Sequence, residues 1–351
     1  MPEVWPPSTP GDIGPWSYSA RNEGMMKSVM AGLLALLVLG TAAWGVAALW
    51  YFDHAAFAWR AALAGAFALA ALLALVGMFL PRQRWRAFAA YAVLFALLLW
   101  RWQAIEPSNT RDWQPETARL AWATIEGERV TLHNIRNFDY RSETDFTPAY
   151  YDKTFDLGKL NSVDLVASYW MGPAIAHTFL SFGFGEDRVA ISIETRKERG
   201  EDYSTLAGFF RHYELVYVVA DERDLIRVRT NYRRDPPEQV YLYPILGTKT
   251  AARALFLGYL AELNRLKEHP EFYNSLTTNC TNAIWLHSRV IPEHVPYSWK
   301  ILVSGHVPEL LYENGRLDTS VPFVELQRRS QINERAKAAD QAADFSARIR
   351  K

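Results

Sequence analysis

Long apolar stretches occupy only the first third of the chain. The first, Ser28–Trp50, contains no charged residue and can cross a hydrocarbon layer of about 30 Å at about 1.5 Å per helical residue. Two more follow, Ala61–Leu80 and Ala87–Trp100. Tryptophans at the edges of these stretches fit anchoring at a membrane interface. The pattern therefore predicts three transmembrane helices within residues 28–102.

The N-terminal end allows two interpretations. A cleaved signal peptide would also give an apolar first stretch, and residues 40–43 resemble a processing site. The stretch continues past that site and two more follow it, which favours a retained helix. The Pro-rich residues Pro2–Pro15 do not favour a helix. We therefore predict a flexible N-terminal tail over residues 1–27.

Basic residues near the helix ends predict the orientation in the membrane. Arg82, Arg84 and Arg86 lie between the second and third stretches, whereas the link between the first two has no Lys or Arg before Arg60. Cytoplasmic loops carry an excess of Lys and Arg, so we expect the arginine-rich loop in the cytoplasm. Three crossings then leave the N-terminus in the cytoplasm and everything after Arg101 on the other side.

The pattern changes after residue 102, where short strand-like runs alternate with amphipathic helices. No internal repeat or Gly/Ser linker divides this part, so we predict one α+β domain over residues 103–326. Residues 327–351 are Ala-rich and charged on all sides, which predicts a solvated helix or tail. Residues 150–170 suggest a loop and a short amphipathic helix, and residues 221–224 a charged, solvated turn. Strands are predicted in a hairpin at Arg119–Phe138 and at Ile175–Phe184, Val189–Thr195, Leu215–Ala220, Leu225–Arg229 and Val240–Tyr243, and helices at Thr250–Glu268 and from about Thr278 to Val290.

The amino-acid composition and the absence of several motifs argue against some classes of function. The 38 Lys and Arg residues balance 38 Asp and Glu residues, which argues against a nucleic-acid partner, because phosphate binding needs a basic excess. A hydrophobic content of 50% excludes a disordered chain. The sequence contains no zinc-binding spacing of Cys and His and no Gly-x-Ser-x-Gly elbow. We therefore expect neither a metal site nor a serine hydrolase, and no cofactor.

The single cysteine, Cys280, is the candidate nucleophile. It precedes an apolar helical stretch, and Thr278 or Asn279 is a suitable N-cap. In the first helical turn the helix dipole and free backbone N–H groups would lower the pKa of the thiol and could bind an oxyanion. A lone cysteine is also common as a small buried residue, so position alone leaves both interpretations open.

His177 is the best candidate for a base among the eight histidines, because it interrupts an apolar strand. His287 lies two turns, about 10 Å, beyond Cys280 on the same predicted helix and cannot reach the thiol. Matching the apolar faces of two successive strands places His177 opposite Glu194 or Arg196, depending on the register. A carboxylate in that place would hold the imidazole tautomer. A surface-facing cross-strand pair is the alternative.

Five sequence blocks carry a family resemblance. They are HNIRNF from His133, IAHTFLSFGF from Ile175, SIETRKERGEDYS from Ser192, YVVADERD from Tyr217 and TTNCT from Thr277. Through these blocks, residues 130–285 resemble membrane-anchored proteins of the Lnb-type lipoprotein N-acyltransferase family. Their domain is similar to circularly permuted papain-like (NlpC/P60-type) enzymes. The resemblance implies Cys280 as nucleophile, His177 as base and Glu194 as orienting residue, in a periplasmic domain of a multi-pass bacterial inner-membrane protein.

The resemblance also implies a reaction. A phospholipid would donate a fatty acyl chain to Cys280 as a thioester, and a diacylated lipoprotein would accept it on the α-amine of its diacylglyceryl-cysteine. The expected partners are therefore these two substrates and the membrane, without nucleic acid, and the oligomeric state stays open. Two alternatives remain: a cysteine peptidase or amidase that acts on peptidoglycan or other envelope amides, and a non-catalytic membrane scaffold.

Overall fold

The structure, a computed structural model, describes residues 16–51, 56–80 and 82–351. They form two compact units that divide between Glu106 and Pro107. Of the tail predicted over residues 1–27, residues 1–15 lie outside the described residues. Residues 16–27 are helical, so the prediction of a flexible segment is wrong for them.

The first unit contains three long helices, α1 (Trp16–Tyr51), α2 (Phe57–Met78) and α3 (Arg84–Gln103). In the described residues, Ser28–Tyr51 and Phe57–Met78 are long and apolar enough to cross a membrane. Only 11% and 28% of their most apolar windows are buried, so these helices differ from the core helices of a soluble domain. The same criterion does not select α3, which carries arginines near both ends.

The second unit, described throughout, is built on one mixed eight-stranded sheet. The order is β1-β2-β9-β8-β7-β6-β10, and β5 pairs with β2. Every pairing is antiparallel except the short parallel contact of β2 with β9. The predicted hairpin and the strands around His177 and Glu194 are confirmed. The strands are β1 (Trp122–Glu126), β2 (Arg129–Arg136), β3 (Asp139–Tyr140), β4 (Phe146–Thr147), β5 (Tyr150–Asp156), β6 (Leu160–Tyr169), β7 (His177–Phe184), β8 (Asp187–Arg196), β9 (Glu214–Ala220) and β10 (Gln239–Pro244), of which β3 and β4 form a separate ribbon.

Helices cover both faces of this sheet, which gives the predicted α+β class. On one face Phe182 packs against Phe256 and Tyr259, with ring centroids 5.0 and 5.7 Å apart. On the other face Phe179 joins a core that includes Phe345. The helices are α4 (Glu222–Arg227), α5 (Lys249–Glu268), α6 (Cys280–Ser288), α7 (Trp299–Leu302), α8 (Val307–Glu313), α9 (Phe323–Ser330), α10 (Asn333–Ala338) and α11 (Phe345–Arg348), with α5 and α6 on the first face and α4, α10 and α11 on the second.

The prediction of a loop and a helix over residues 150–170 is wrong, because this segment forms β5 and β6. β6 lies between β7 and β10 in the sheet. Both of its faces are covered, and from Val163 onward every residue is buried. β6 contains Asn161, Ser162 and the buried Asp164 within its apolar run, and these polar residues hid the strand in the sequence.

The predicted turn at residues 221–224 and the predicted strand Leu225–Arg229 are also wrong. Asp221 caps α4, and Glu222 and Asp224 are fully buried rather than solvated. Asp224 is paired with Arg136, whose Nη2 lies 2.8 Å from its Oδ1. A short apolar run flanked by charges fits a strand and a buried helix equally well. In the structure it is a helix, and its charged residue Asp224 is buried because Arg136 pairs with it.

The C-terminal segment 327–351, predicted to stay in solvent, packs into the core instead. Ile332, Phe345 and Ile349 are at most 1% exposed. Arg350 forms ion pairs with Asp164 and Glu222. The apolar residues are divided between the short helices α10 and α11, so no single helical period shows them in the sequence.

Candidate active site

Cys280 is the first residue of α6, where the Asn-Cys-Thr sequence starts the helix. Asn279 is the N-cap, and its Oδ1 accepts a hydrogen bond of 2.8 Å from the backbone N–H of Asn282. A side-chain acceptor at this position satisfies one of the otherwise unpaired donors of the first turn. In the described part of the chain, no acceptor takes a hydrogen bond from the Cys280 backbone N–H. That donor is therefore available beside the thiol.

His177 begins β7, and the strand register places it next to Glu194 on β8. Leu180 pairs with Ile191, and the same antiparallel alignment extended by three residues brings His177 opposite Glu194. His177 Nε2 lies 3.6 Å from Glu194 Oε1. The alternative partner Arg196 points elsewhere, with its guanidinium 4.3 Å from the ring centroid of Trp113. Of the two registers that the sequence allowed, the structure has the one with the carboxylate.

Ser192 connects the histidine to the carboxylate. Its Oγ lies 2.7 Å from His177 Nε2 and donates a hydrogen bond of 2.8 Å to Glu194 Oε1. A hydroxyl has one proton, and since the carboxylate takes it, His177 Nε2 must donate to Ser192. This arrangement leaves His177 Nδ1 to exchange a proton with the thiol. The sequence placed Ser192 on the polar face of the strand but gave no indication of this bridging position.

The charges of the three groups depend on one another. Burial raises the pKa of the Cys280 thiol, but the adjacent His177 charge and hydrogen bonds from His177, Thr178 and Thr281 lower it to about 6. Burial and the charge of Arg229 lower the pKa of His177, yet the Cys280 thiolate and Glu194 outweigh them and raise it. The described geometry therefore favours a thiolate and an imidazolium at neutral pH.

Arg229 is a member of the site that the sequence did not reveal. It lies in a π turn, Val228–Tyr232, directly after α4, and its Nη2 is 3.1 Å from Glu194 Oε1. Burial raises the pKa of Glu194, but the hydrogen bond with His177 and the charges of Arg229, His177 and Arg136 hold it well below its usual range. Arg229 also pairs with buried Glu238 at 3.2 Å. Glu194 is thus kept ionised beside the imidazole.

His287 and His133 have partners other than the thiol. His287 Nε2 is 2.9 Å from the Tyr217 hydroxyl. His133 stacks on Trp122 and bonds Asp152 at 2.7 Å. Among residues 16–51, 56–80 and 82–351, no group of three His, Cys, Asp or Glu side chains converges as a metal site.

Residues 146–305 match the family model of the Lnb N-terminal periplasmic domain. Over these residues the chain is similar to the Lnb family. The matched range contains His177, Glu194 and Cys280 and most of the sheet. No curated protein and no solved structure matches the chain.

Proposed function

We propose that this protein is a lipoprotein N-acyltransferase of the Lnb type with Cys280 as its nucleophile. The observation that carries the proposal is the thiol at a helix N-terminus in contact with His177, which is connected through Ser192 to Glu194. A thiol, an imidazole and an orienting carboxylate are the parts that nucleophilic acyl transfer requires. The order His, Glu, Cys along the chain fits the circularly permuted papain-like fold that the family resemblance implies.

In the first half-reaction the Cys280 thiolate attacks the ester carbonyl carbon of a phospholipid. The new S–C bond forms a tetrahedral oxyanion, and the free backbone N–H of Cys280 is the donor positioned to stabilise it. The C–O ester bond then breaks, and His177 protonates the leaving oxygen. The products are a lysophospholipid and a thioester on Cys280.

In the second half-reaction the α-amine of a diacylglyceryl-cysteine attacks the thioester. His177, now neutral, accepts the amine proton while the S–C bond breaks. The amide is released, and the thiolate and imidazolium are restored. Ser192 and Glu194 keep His177 Nε2 protonated throughout, so Nδ1 carries both proton transfers. A thiolate leaves readily, which suits a weak amine nucleophile.

The membrane region supports a reaction between two lipid-anchored substrates. We propose that α3 crosses the membrane together with α1 and α2. Its 20 residues span about 30 Å, and its arginines lie near the ends, where long side chains reach the interface. Three crossings with residues 82–86 in the cytoplasm would place the catalytic domain in the periplasm of a bacterial inner-membrane protein.

Intact-protein mass spectrometry tests the proposal. The purified full chain is incubated with phospholipid vesicles and then with a synthetic diacylated lipopeptide. We expect a fatty-acyl mass on the wild-type protein that disappears as triacylated peptide forms, and neither species with Cys280→Ala. Wild-type protein that is folded yet forms no adduct and no triacylated peptide would contradict the proposal, and release of peptide from peptidoglycan fragments would then indicate an amidase.

A further inference from the structure

An apolar cavity of about 180 Å³ lies between the sheet and the helices α5, α6 and α8. Its walls come from β6, β7, these helices and the loops at residues 245–248 and 291–295, so it lies partly in the folded core and is partly open to solvent. Large aliphatic side chains dominate the lining, among them Leu165, Leu180, Leu255, Ile284, Ile301 and Leu310.

The cavity begins one side chain away from the thiol. Thr281 lines it, and the Thr281 hydroxyl oxygen lies 3.8 Å from Cys280 Sγ. Thr178 Oγ1 is 3.9 Å from the same sulfur, and Leu180, on the same face of β7, lines the cavity two residues further on. The lining residues of α6 follow helical spacing, so one whole face of the helix that carries Cys280 borders the cavity. They are Thr281, Ile284, Trp285 and Ser288.

The cavity offers few groups for a polar ligand. In the described part of the chain, none of the buried side-chain polar atoms without a hydrogen-bond partner belongs to a lining residue. Space lined mainly by apolar side chains binds apolar molecules, and an enclosed apolar cavity of about 150 Å³ accepts benzene. By that comparison the space near Cys280 takes on the order of six to eight carbon atoms of a chain.

The lining also reaches the surface at a point away from the thiol. The lining residue Ile245 lies beside β6, where its backbone N–H donates a hydrogen bond to the Val163 carbonyl. Val163 pairs with Phe182 of β7, four residues beyond Thr178, so Ile245 lies at the end of the cavity away from the thiol. Beyond Ile245 the lining residues Leu246 and Lys249 are exposed. A chain longer than the cavity can therefore continue outward past them.

We propose that this cavity binds the fatty acyl chain of the donor while its carbonyl carbon is attached to Cys280. The inference rests on the proposed acyl transfer and adds a place for the hydrocarbon. The carbonyl lies at Sγ, the first methylenes pass Thr281, and the following carbons contact Leu180, Leu165 and Ile284. The cavity thereby binds the hydrocarbon of the donor rather than its headgroup.

Alkyl methanethiosulfonates of increasing length test the cavity without requiring acyl transfer. The Cys280 thiolate attacks the sulfenyl sulfur, an S–S bond forms, and methanesulfinate leaves with the electron pair of the broken S–S bond. Cys280 is the only cysteine of the chain, so labelling reports on one site. The full chain in a sterol-based detergent is labelled with methyl, butyl, octyl and dodecyl reagents, and rates are read from intact masses.

We expect the labelling rate, relative to the methyl reagent, to rise by up to about fourfold per methylene until the cavity is full. Ala252→Phe fills the cavity, and we expect it to reduce the octyl-to-methyl rate ratio at least tenfold. Ala254→Phe is the matched control, because Ala254 is also half-buried on α5 but does not line the cavity. Ala251→Phe, at another lining position, is used if the first variant does not fold.

Equal octyl-to-methyl ratios in the wild type and both lining variants would overturn the inference. If the labelling rate does not change with alkyl length but phospholipid still forms an acyl-enzyme, the cavity assignment is overturned and the proposed acyl transfer stands. A length preference abolished by Ala252→Phe, without any acyl-enzyme from phospholipid, would support the cavity and contradict the proposed function. The two failures are therefore distinguishable.

Discussion

Two buried polar clusters lie on the same face of β7 and β8, separated by Phe179 and Ala190. The candidate catalytic cluster consists of His177, Ser192, Glu194 and Arg229, with Cys280 beside it. The C-terminal cluster consists of Asp164, Ser181, Arg188, Glu222 and Arg350. Each uses an arginine to compensate a buried carboxylate, yet only one of them contains groups that exchange protons near neutral pH.

The difference lies in how completely each carboxylate is paired. Asp164 and Glu222 are 2% and 0% exposed, and Arg350 forms ion pairs with both. Neither carboxylate of the C-terminal cluster is therefore accessible to a substrate. The side chains of His177 and Glu194 retain 13% and 22% of their exposure, and the imidazole faces a thiol. The same two strands therefore support a closed cluster that stabilises the fold and an open one that is suited to chemistry.

Arg350→Leu should give the largest effect on stability. It leaves Glu222 buried without its cation and Asp164 paired only with Arg188 at 3.2 Å, and the unpaired buried carboxylate is expected to cost about 3–5 kcal/mol of the free energy of unfolding. Urea unfolding of the full chain measures this cost, and Cys280 labelling of the remaining folded protein should be unchanged. Arg348→Leu is the control, since Arg348 is exposed and pairs only with Asp344 along α11. Equal destabilisation by both variants would contradict the closed-cluster interpretation.

His177→Ala should change the reactivity of the thiol without a comparable loss of stability. Thiolate forms as pH rises through the thiol pKa, so wild-type alkylation by iodoacetamide should be half-maximal near pH 6. Without the imidazolium, burial remains and the midpoint should move above about 8.5, the usual value for cysteine. His133→Ala, which alters a histidine away from the thiol, should keep the wild-type midpoint. An unchanged midpoint in His177→Ala would show that the imidazole does not lower the pKa of the thiol.

Ser192→Ala should give the smallest effect. The imidazole loses the hydroxyl that fixes its Nε2 proton, and one hydrogen bond of about 1–1.5 kcal/mol corresponds to roughly a tenfold loss in the rate of acyl transfer. Ser192→Thr retains the hydroxyl and should restore most of the rate. The alkylation midpoint of Cys280 should move by less than in His177→Ala. A Thr variant as slow as the Ala variant would indicate a packing effect instead of a positioning role.

The apolar strands β7, β8 and β9 could be predicted from the sequence although most of their residues are buried, whereas the segments with buried charged residues could not. β7 and β8 show alternation, which limited the partner of His177 to two residues two positions apart. The choice of Glu194 over Arg196 required the three-dimensional register. Local chemistry alone limited the N-cap to Thr278 or Asn279 and placed Cys280 in the first turn, and the structure has Asn279 as the N-cap.

The errors have a common physical origin in buried charge. Asp164, Glu222 and Asp224 look like surface residues in the sequence, because charge usually indicates solvent. Their partners Arg136 and Arg350 are distant along the chain, and no local sequence pattern indicates such pairing. The same reason hid Arg229 from the candidate site and made the segment 327–351 look solvated.

The thiol of Cys280 has no second cysteine in the chain. A thiolate stable near neutral pH is also the form that peroxide oxidises to a sulfenic acid. The same molecule contains no second thiol that could react with the sulfenic acid. No intramolecular disulfide can therefore form to protect Cys280 from further oxidation. A mass gain on Cys280 after peroxide, reversed by an added dithiol, would show this state. Return of Cys280 to the thiolate therefore requires a reductant supplied from another molecule.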